Sequence, residues 1–272
     1  MRLAVQTSLL PGHDLHAKFA AAAVAGYDGV EIPVGPAFDI LAREGEILAA
    51  SAASGLPVAA ICTAGVHDPV IADREERARR IRVLQDLVAC ADRLGATGVV
   101  SVPVRPQANV DPALLPDLAV ETYREVSEGL APGTARIFLE PLNRFETRFL
   151  LRVGQGVDLA KAVGHPRCVV LADTFHMNIE ESSWSEPVVQ AGDLLGHVHI
   201  ADNNRFEPGG GMIDFGPFFG ALREIGYGGF IALECFHPSG SGLSGPAAET
   251  LKRSATYLRE VWAASQAPAD AA

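Results

Sequence analysis

The sequence has no apolar run of the roughly 18 residues that a membrane-spanning helix requires. It also has no C-x-x-C pair. Its 4 cysteines, Cys62, Cys90, Cys168 and Cys235, stand far apart in apolar stretches. That usage predicts reduced core thiols of a cytoplasmic protein and excludes a disulfide frame or a thiolate metal knuckle. Basic residues are scarce, with 22 Lys+Arg against 33 Asp+Glu, for a net charge of −11. Such a surface repels phosphate backbones and anionic lipid, so nucleic acid and membranes are excluded as partners. The opening Met1–Gln6 reads as a strand and lacks a secretory pattern. No G-x-G-x-x-G follows it. Thr7-Ser8-Leu9-Leu10-Pro11 stands there instead, which argues against a doubly wound dinucleotide-binding sheet.

What the chain does have is 272 residues, 48% of them hydrophobic, enough for one α/β barrel of about 250 residues. Eight nearly continuous apolar runs recur: Leu3–Thr7, Gly29–Pro33, Val58–Cys62, Gly98–Val102, Arg136–Glu140, Cys168–Asp173, His197–Ala201 and Phe230–Glu234. Strands of this kind are buried on both faces. Amphipathic segments separate them. Asp14–Ala25 opens on a capping-type Asp and stops at Gly26, and Asp73–Leu94 stops at Gly95. The pattern repeats in Asp158–Val163 and Phe218–Ile225, and Pro246–Ala264 is the final helix. Eight strand–helix units predict a (β/α)8 TIM barrel over residues 1–264, with 265–272 as a frayed tail.

In such a barrel, chemistry gathers at the carboxyl ends of the strands. The fifth run ends on Glu140, the sixth on Asp173, the seventh contains His199, and the eighth ends on Glu234. Three carboxylates converging on a partly buried mouth repel one another strongly, and a divalent cation relieves that repulsion. Hard oxygen donors with one imidazole favour Mn²⁺, with Mg²⁺ or Co²⁺ as alternatives and zinc also compatible. Each residue taken alone also has an ordinary structural reading, since Asp173 suits the cap of the turn that follows it. His197 stands two residues before His199, and we assign His197 to the barrel wall. In the loops, His176 and Arg205 offer directed donors for sugar hydroxyls or a carbonyl oxygen. Glu146 suits either contact with substrate or orientation of Glu140. The plainer readings are a surface histidine, a solvated arginine and a loop salt bridge.

The stretches Glu140-Pro-Leu-Asn-Arg-Phe-Glu146, Asp173-Thr-Phe-His176-Met-Asn-Ile-Glu-Glu181 and His197-Val-His199, with Asn204-Arg205, resemble the ketose 3-epimerases. These are the D-tagatose, D-allulose and L-ribulose 3-epimerases of the xylose-isomerase-like TIM barrel superfamily. The resemblance implies that Glu140, Asp173, His199 and Glu234 are metal ligands and that Glu140 and Glu234 double as the acid/base pair. It also implies that Glu146, His176 and Arg205 bind substrate, and that the protein is a homodimer or homotetramer. The expected activity is therefore metal-dependent epimerisation of a free ketose at C3 through an enediolate. The alternatives are an aldose–ketose or hydroxypyruvate-type isomerase and a 3-epimerase of a phosphorylated ketose such as L-ribulose or L-xylulose 5-phosphate. The superfamily's DNA-repair endonucleases need more histidines and a basic surface, which this chain lacks. Departures from the epimerase pattern fall at Thr7–Leu10, Cys62–Asp68 and Val102–Gln107, which leaves substrate identity less defined than reaction type.

Overall fold

The computed structural model describes residues 1–35, 38–63, 67–103, 111–236 and 242–265. Eight parallel strands close into one barrel in sequence order. They are β1 (Arg2–Gln6), β2 (Gly29–Pro33), β3 (Val58–Cys62), β4 (Gly98–Ser101), β5 (Arg136–Leu139), β6 (Cys168–Asp173), β7 (Leu195–Ile200) and β8 (Phe230–Leu233). The helices are α1 (Leu15–Ala25), α2 (Glu44–Ser54), α3 (Arg74–Leu94), α4 (Leu115–Glu128), α5 (Val153–Val163), α6 (Thr174–Glu180), α7 (Glu186–Ala191), α8 (Gly216–Glu224) and α9 (Ala247–Ala264).

Local chemistry sets the helix limits. Asp14 accepts the Ala17 N–H at the start of α1, and Asp73 accepts the Glu76 N–H at the start of α3. Each satisfies a donor that the first helical turn leaves unpaired. Gly26 and Gly95 close the same helices in the left-handed conformation that glycine adopts without steric cost. Helix α9 ends at Ala264, and the expected tail lies almost wholly outside the described residues.

Two apolar layers follow from the alternation of side chains along each strand. Outward residues such as Ile61, Val99, Ile137, Val170 and Val198 pack under the helices. Inward residues Ala60, Val100, Phe138, Val169 and Leu171 fill the barrel itself. Phe138 occupies its centre at the expense of its neighbours. A Cβ on Gly98 would lie 2.7 Å from the Phe138 ring and one on Gly196 would lie 2.8 Å from it, so β4 and β7 carry no side chain at these points.

His197 departs from the expectation that it faces the wall. Residues two apart on a strand share a face, so His197 and His199 both point into the barrel. His197 stacks flat on Phe138 with ring centroids 5.0 Å apart, one layer below His199.

Candidate metal centre

Strand register brings the acidic strand ends together. Asp173 pairs laterally with His199 across β6 and β7, and Glu140 and Glu234 each follow the last residue of β5 and β8. The backbone N–H of Glu140 donates to Ser101 and that of Glu234 to Ile200, which holds both residues at the barrel rim. Each of Glu140, Asp173, His199 and Glu234 offers a ligand atom within 4.8 Å of the others. His199 is fully buried, while Glu140 and Asp173 are only 3% exposed. The imidazole Nδ1 of His199 stands 3.1 Å from an oxygen of Glu140 and 3.1 Å from one of Glu234.

The donor set calls for positive charge at this point. Burial alone would lower the His199 pKa, yet the Glu234, Glu31 and Glu140 carboxylates raise it well above its ordinary value. Glu140 is pushed up by burial and by repulsion from Glu234 and Asp173, against the attraction of His199. Glu234 also pays for its burial, but His199 and Arg205 draw its pKa down. Three hard carboxylates around one ring nitrogen, shielded from water by the apolar layer beneath, fit a divalent cation. The residues present therefore suit the ion that the resemblance implies.

Residues of the first two strands, which the sequence reading did not select, complete the arrangement. Glu31 on β2 lies fully buried below His199. Its Oε1 accepts from His199 Nε2 at 3.0 Å and from Gln6 Nε2 at 2.9 Å. Its Oε2 accepts from His197 Nε2 at 2.8 Å. These N–H groups keep Glu31 ionised despite burial, with its pKa driven far below the usual carboxylate range. The bond to Nε2 commits that nitrogen to Glu31 and leaves Nδ1 as the ring atom turned towards Glu140 and Glu234, the arrangement typical of a metal-ligating histidine backed by a carboxylate. A charged residue in the middle of Gly29-Val-Glu31-Ile-Pro33 was the available signal, because a strand covered on both faces holds a carboxylate only where donors await it.

Asp173 serves two ends. Its Oδ1 accepts the Phe175 N–H and caps α6, as its ordinary structural reading predicts, while the residue also belongs to the cluster. His176 lies one turn further on. Its Nδ1 receives the Asn143 side-chain amide at 2.8 Å, which leaves Nε2–H directed towards Asp173 Oδ2 at 3.4 Å. That Nε2 is buried without a hydrogen-bond partner among the described residues, as is the Arg205 Nε. His176 is thus a buried donor and not a surface histidine.

Glu146 pairs with Arg205 at 2.9 Å and accepts the Asn143 amide at 2.9 Å. The salt-bridge reading of Glu146 is realised, its carboxylate meeting Arg205 and the Asn143 amide, which gives no support to a role in orienting Glu140. The Arg205 guanidinium sits over the Phe175 ring at 4.7 Å and near Phe236 at 5.7 Å, so it is held in place and not free in solvent. The two glutamates at the end of the Asp173 motif stand apart from the site. Glu180 binds Arg144 through both carboxylate oxygens, and Glu181 accepts the Val153 N–H at the start of α5.

Above the cluster opens a cavity of about 490 Å³. Glu140, Glu146, Glu234, His176 and Arg205 line it, with Gln6, Ser8, Leu9, Val102 and Phe236 among its walls. Two of the departures from the epimerase pattern thus reach the cavity, through Ser8–Leu9 and Val102. Residues 64–66 and 104–110 of the other divergent loops lie outside the described residues. All four cysteines are buried and free, and no helix among the described residues is long and apolar enough to cross a membrane.

A family model described as the xylose isomerase-like TIM barrel matches residues 19–261. The chain is 28% identical over 246 residues to 3-dehydro-D-guloside 4-epimerase of Escherichia coli (strain K12), an alignment that covers 86% of this chain and 92% of that one. It is 32% identical over 252 residues to the ketose 3-epimerase of Arthrobacter globiformis, covering 88% and 81% of the two chains. Among solved structures it resembles D-psicose 3-epimerase with D-tagatose from Clostridium cellulolyticum H10. That match has a TM-score of 0.83 and 25% identity and covers 97% of this chain and 99% of the other.

Proposed function

The chain belongs to the xylose isomerase-like TIM barrel family, among its sugar epimerases, and on that premise we propose that it inverts C3 of a free ketose with the aid of a divalent cation. The observation that carries this reading is the closure of Glu140, Asp173, His199 and Glu234 around one point, with Glu140 and Glu234 reaching into the cavity above. Glu140, Asp173, His199 Nδ1 and Glu234 would hold the ion, and its hard donor set favours Mn²⁺. When bound, the ion supplies a Lewis acid that stabilises charge developing on the oxygens beside the carbon that loses its proton.

The proton itself is handled by the chain. Inversion needs one acceptor on each face of the planar intermediate, and Glu140 and Glu234 rise from strands separated by two others around the rim. One carboxylate takes the C3 proton and the other returns a proton to the opposite face. His176 Nε2–H and the Arg205 guanidinium offer donors to sugar oxygens, while Glu146 orients Arg205. The apolar layer around Phe138 keeps water from below the site, which strengthens each of these interactions.

The lining favours an uncharged sugar. Among the described lining residues three are carboxylates, and Arg205, already paired with Glu146, is the one permanently charged cation. A phosphate entering this cavity would meet these three carboxylates with no second guanidinium among the described lining residues to offset them. A second reading comes from the length of the match to the E. coli 4-epimerase. Removal of a proton beside a ketone is the same reaction when the ketone lies at C3 and the inverted centre at C4, so a 3-keto sugar shifted by one carbon would use the same residues.

Incubation in D₂O with Mn²⁺ separates these readings by carbon NMR. The panel is free ketoses, 3-keto glycosides, phosphorylated ketoses and hydroxypyruvate. Deuterium at C3 of a free ketose with both epimers present is the expected result. Label confined to C4 of a 3-keto sugar establishes the second reading. Label at C1 or C2, or turnover of phosphorylated ketoses alone, overturns both.

A further inference from the structure

Gln6 lies at the end of β1, level with Glu31 on β2 in the strand register, and is 5% exposed. Its side-chain nitrogen stands 2.9 Å from Glu31 Oε1 and 2.8 Å from Glu234 Oε1. The amide oxygen faces the Ser8 hydroxyl at 3.4 Å. This orientation is dictated by charge, because the opposite one would press a carbonyl oxygen against two carboxylates. Each of the two amide N–H groups is thus spent on a carboxylate of different function, one from the support of His199 and one from the acid/base pair.

These contacts close a ring. Gln6 joins Glu234 Oε1 to Glu31 Oε1, Glu31 Oε1 accepts from His199 Nε2, and His199 Nδ1 stands 3.1 Å from Glu234 Oε2. The two oxygens of Glu234 are therefore unequal. Oε1 is engaged by Gln6, with the Cys62 thiol also beside it at 3.7 Å, while Oε2 faces the ring nitrogen of the cluster. Glu140 shows no corresponding tie among the described residues, its side chain meeting His199 Nδ1.

We propose that Gln6 is a positioning residue that pins one oxygen of Glu234 and thereby fixes which oxygen, and at what angle to His199, the site presents to a cation. The proposal rests on the reading of Glu140, Asp173, His199 and Glu234 as the ion site. A neutral amide suits this task for a physical reason. Lysine or arginine at the position would bring a positive charge that competes with the ion. A glutamate would add a further anion, and an apolar side chain would leave Glu31 and Glu234 facing each other with no donor between them.

The test compares wild type with Gln6→Met, which keeps length and volume and removes both N–H donors. Free Mn²⁺ is followed by electron paramagnetic resonance, the visible bands of the Co²⁺-loaded protein report coordination, and circular dichroism reports folding. Loss of such an outer support typically weakens metal affinity by about 10–100-fold. The expected result is a Kd for Mn²⁺ raised within that range, altered Co²⁺ band intensities, and a fall in kcat with KM changed less than threefold. A folded Gln6→Met protein with Kd, Co²⁺ spectrum and kcat within threefold of wild type overturns the proposal. A crystal structure of Mn²⁺-loaded wild type decides independently if the variant does not fold. Glu234 Oε1 still on Gln6 with Oε2 alone on the metal supports it, and a bidentate Glu234 with Gln6 swung away overturns it. Wild type that takes up no Mn²⁺ removes the ion site and this proposal together. Mn²⁺ uptake indifferent to Gln6 removes only the role of Gln6.

Discussion

The two halves of the barrel contribute differently to the same site. Strands β5–β8 end in Glu140, Asp173, His199 and Glu234, the groups that converge on one point. Strands β1–β3 contribute Gln6, Glu31 and Cys62, which touch those groups from below and from the side. On the proposed reading, the second half supplies the chemistry and the first half aims it. Both sets point inward on the same alternation, and they differ in depth. Glu31 lies within its strand, whereas Glu140 and Glu234 follow the ends of theirs. A closed barrel makes this division possible, because the first strand pairs with the last and brings Gln6 beside Glu234 across 228 residues of sequence.

Substitutions in the two halves should separate the roles. The largest effect is expected in the second half. Glu140→Gln or Glu234→Gln should lower kcat roughly 10²–10⁴-fold, the usual contribution of a positioned acid or base, in a protein whose circular dichroism matches wild type. Substantial turnover by either variant would remove that carboxylate from the reaction. In the first half, Glu31→Gln replaces the acceptor for His199 Nε2, and Mn²⁺ affinity should fall by about 10–100-fold, measured by calorimetry. Equal affinity would place all control of the site in β5–β8.

Proton release sharpens the same contrast. The surrounding carboxylates raise the His199 pKa well above its ordinary value in spite of burial. A cation that takes Nδ1 must therefore displace a proton, so Mn²⁺ affinity should fall as pH falls and rise as pH rises through neutrality. Calorimetry in buffers of different ionisation enthalpy reads the released proton directly, and uptake with no release contradicts the assignment of Nδ1. Smaller again is Arg205→Ala, which should raise KM for the sugar by about tenfold, since a hydrogen bond to a charged group contributes about 1.5–3 kcal/mol. The fall in kcat should be less than the rise in KM.

The smallest effect on activity belongs to the opposite end of the barrel. Asp92 accepts the backbone N–H groups of Thr134 and Ala135 and pairs with Arg167 at 2.8 Å. Asp92→Ala should cost about 1–3 kcal/mol of stability by leaving these donors unmet, read by urea unfolding, with kcat unchanged. A loss of activity would mean that strain at the amino end reaches the carboxyl end.

Much of this was legible before any fold was in hand. All eight strands occur where apolar runs stood, with ends shifted by at most two residues, and the Asp-opened, Gly-closed helices α1 and α3 follow from capping chemistry. Helix α2 was harder to see because Ile47 and Ala50 are its only fully buried residues, too few to mark a stripe. Helix α6 reads as loop from its sequence because it is one short segment of 7 residues started by Asp173. At the site, Glu140, Asp173, His199 and Glu234 were visible because a polar residue closing an apolar run stands out. Glu31 and Gln6 were not. Gln6 sits within an ordinary strand, Glu31 reads as one polar residue in an alternating pattern, and neither shows its partners in local sequence.

Sequence alone determined the period of the chain, the caps that end its helices, and the residue types available at the carboxyl ends of the strands. These are short-range properties, set by backbone sterics, hydrogen-bond capacity and the spacing of apolar side chains. Tertiary structure decided that His199 Nδ1 faces Glu140 and Glu234 while Nε2 meets Glu31, that Gln6 engages Oε1 of Glu234 and not Oε2, and that His197 stacks on Phe138 beneath them. Those outcomes depend on contacts between strands far apart in the chain, and only closure of the barrel sets such distances.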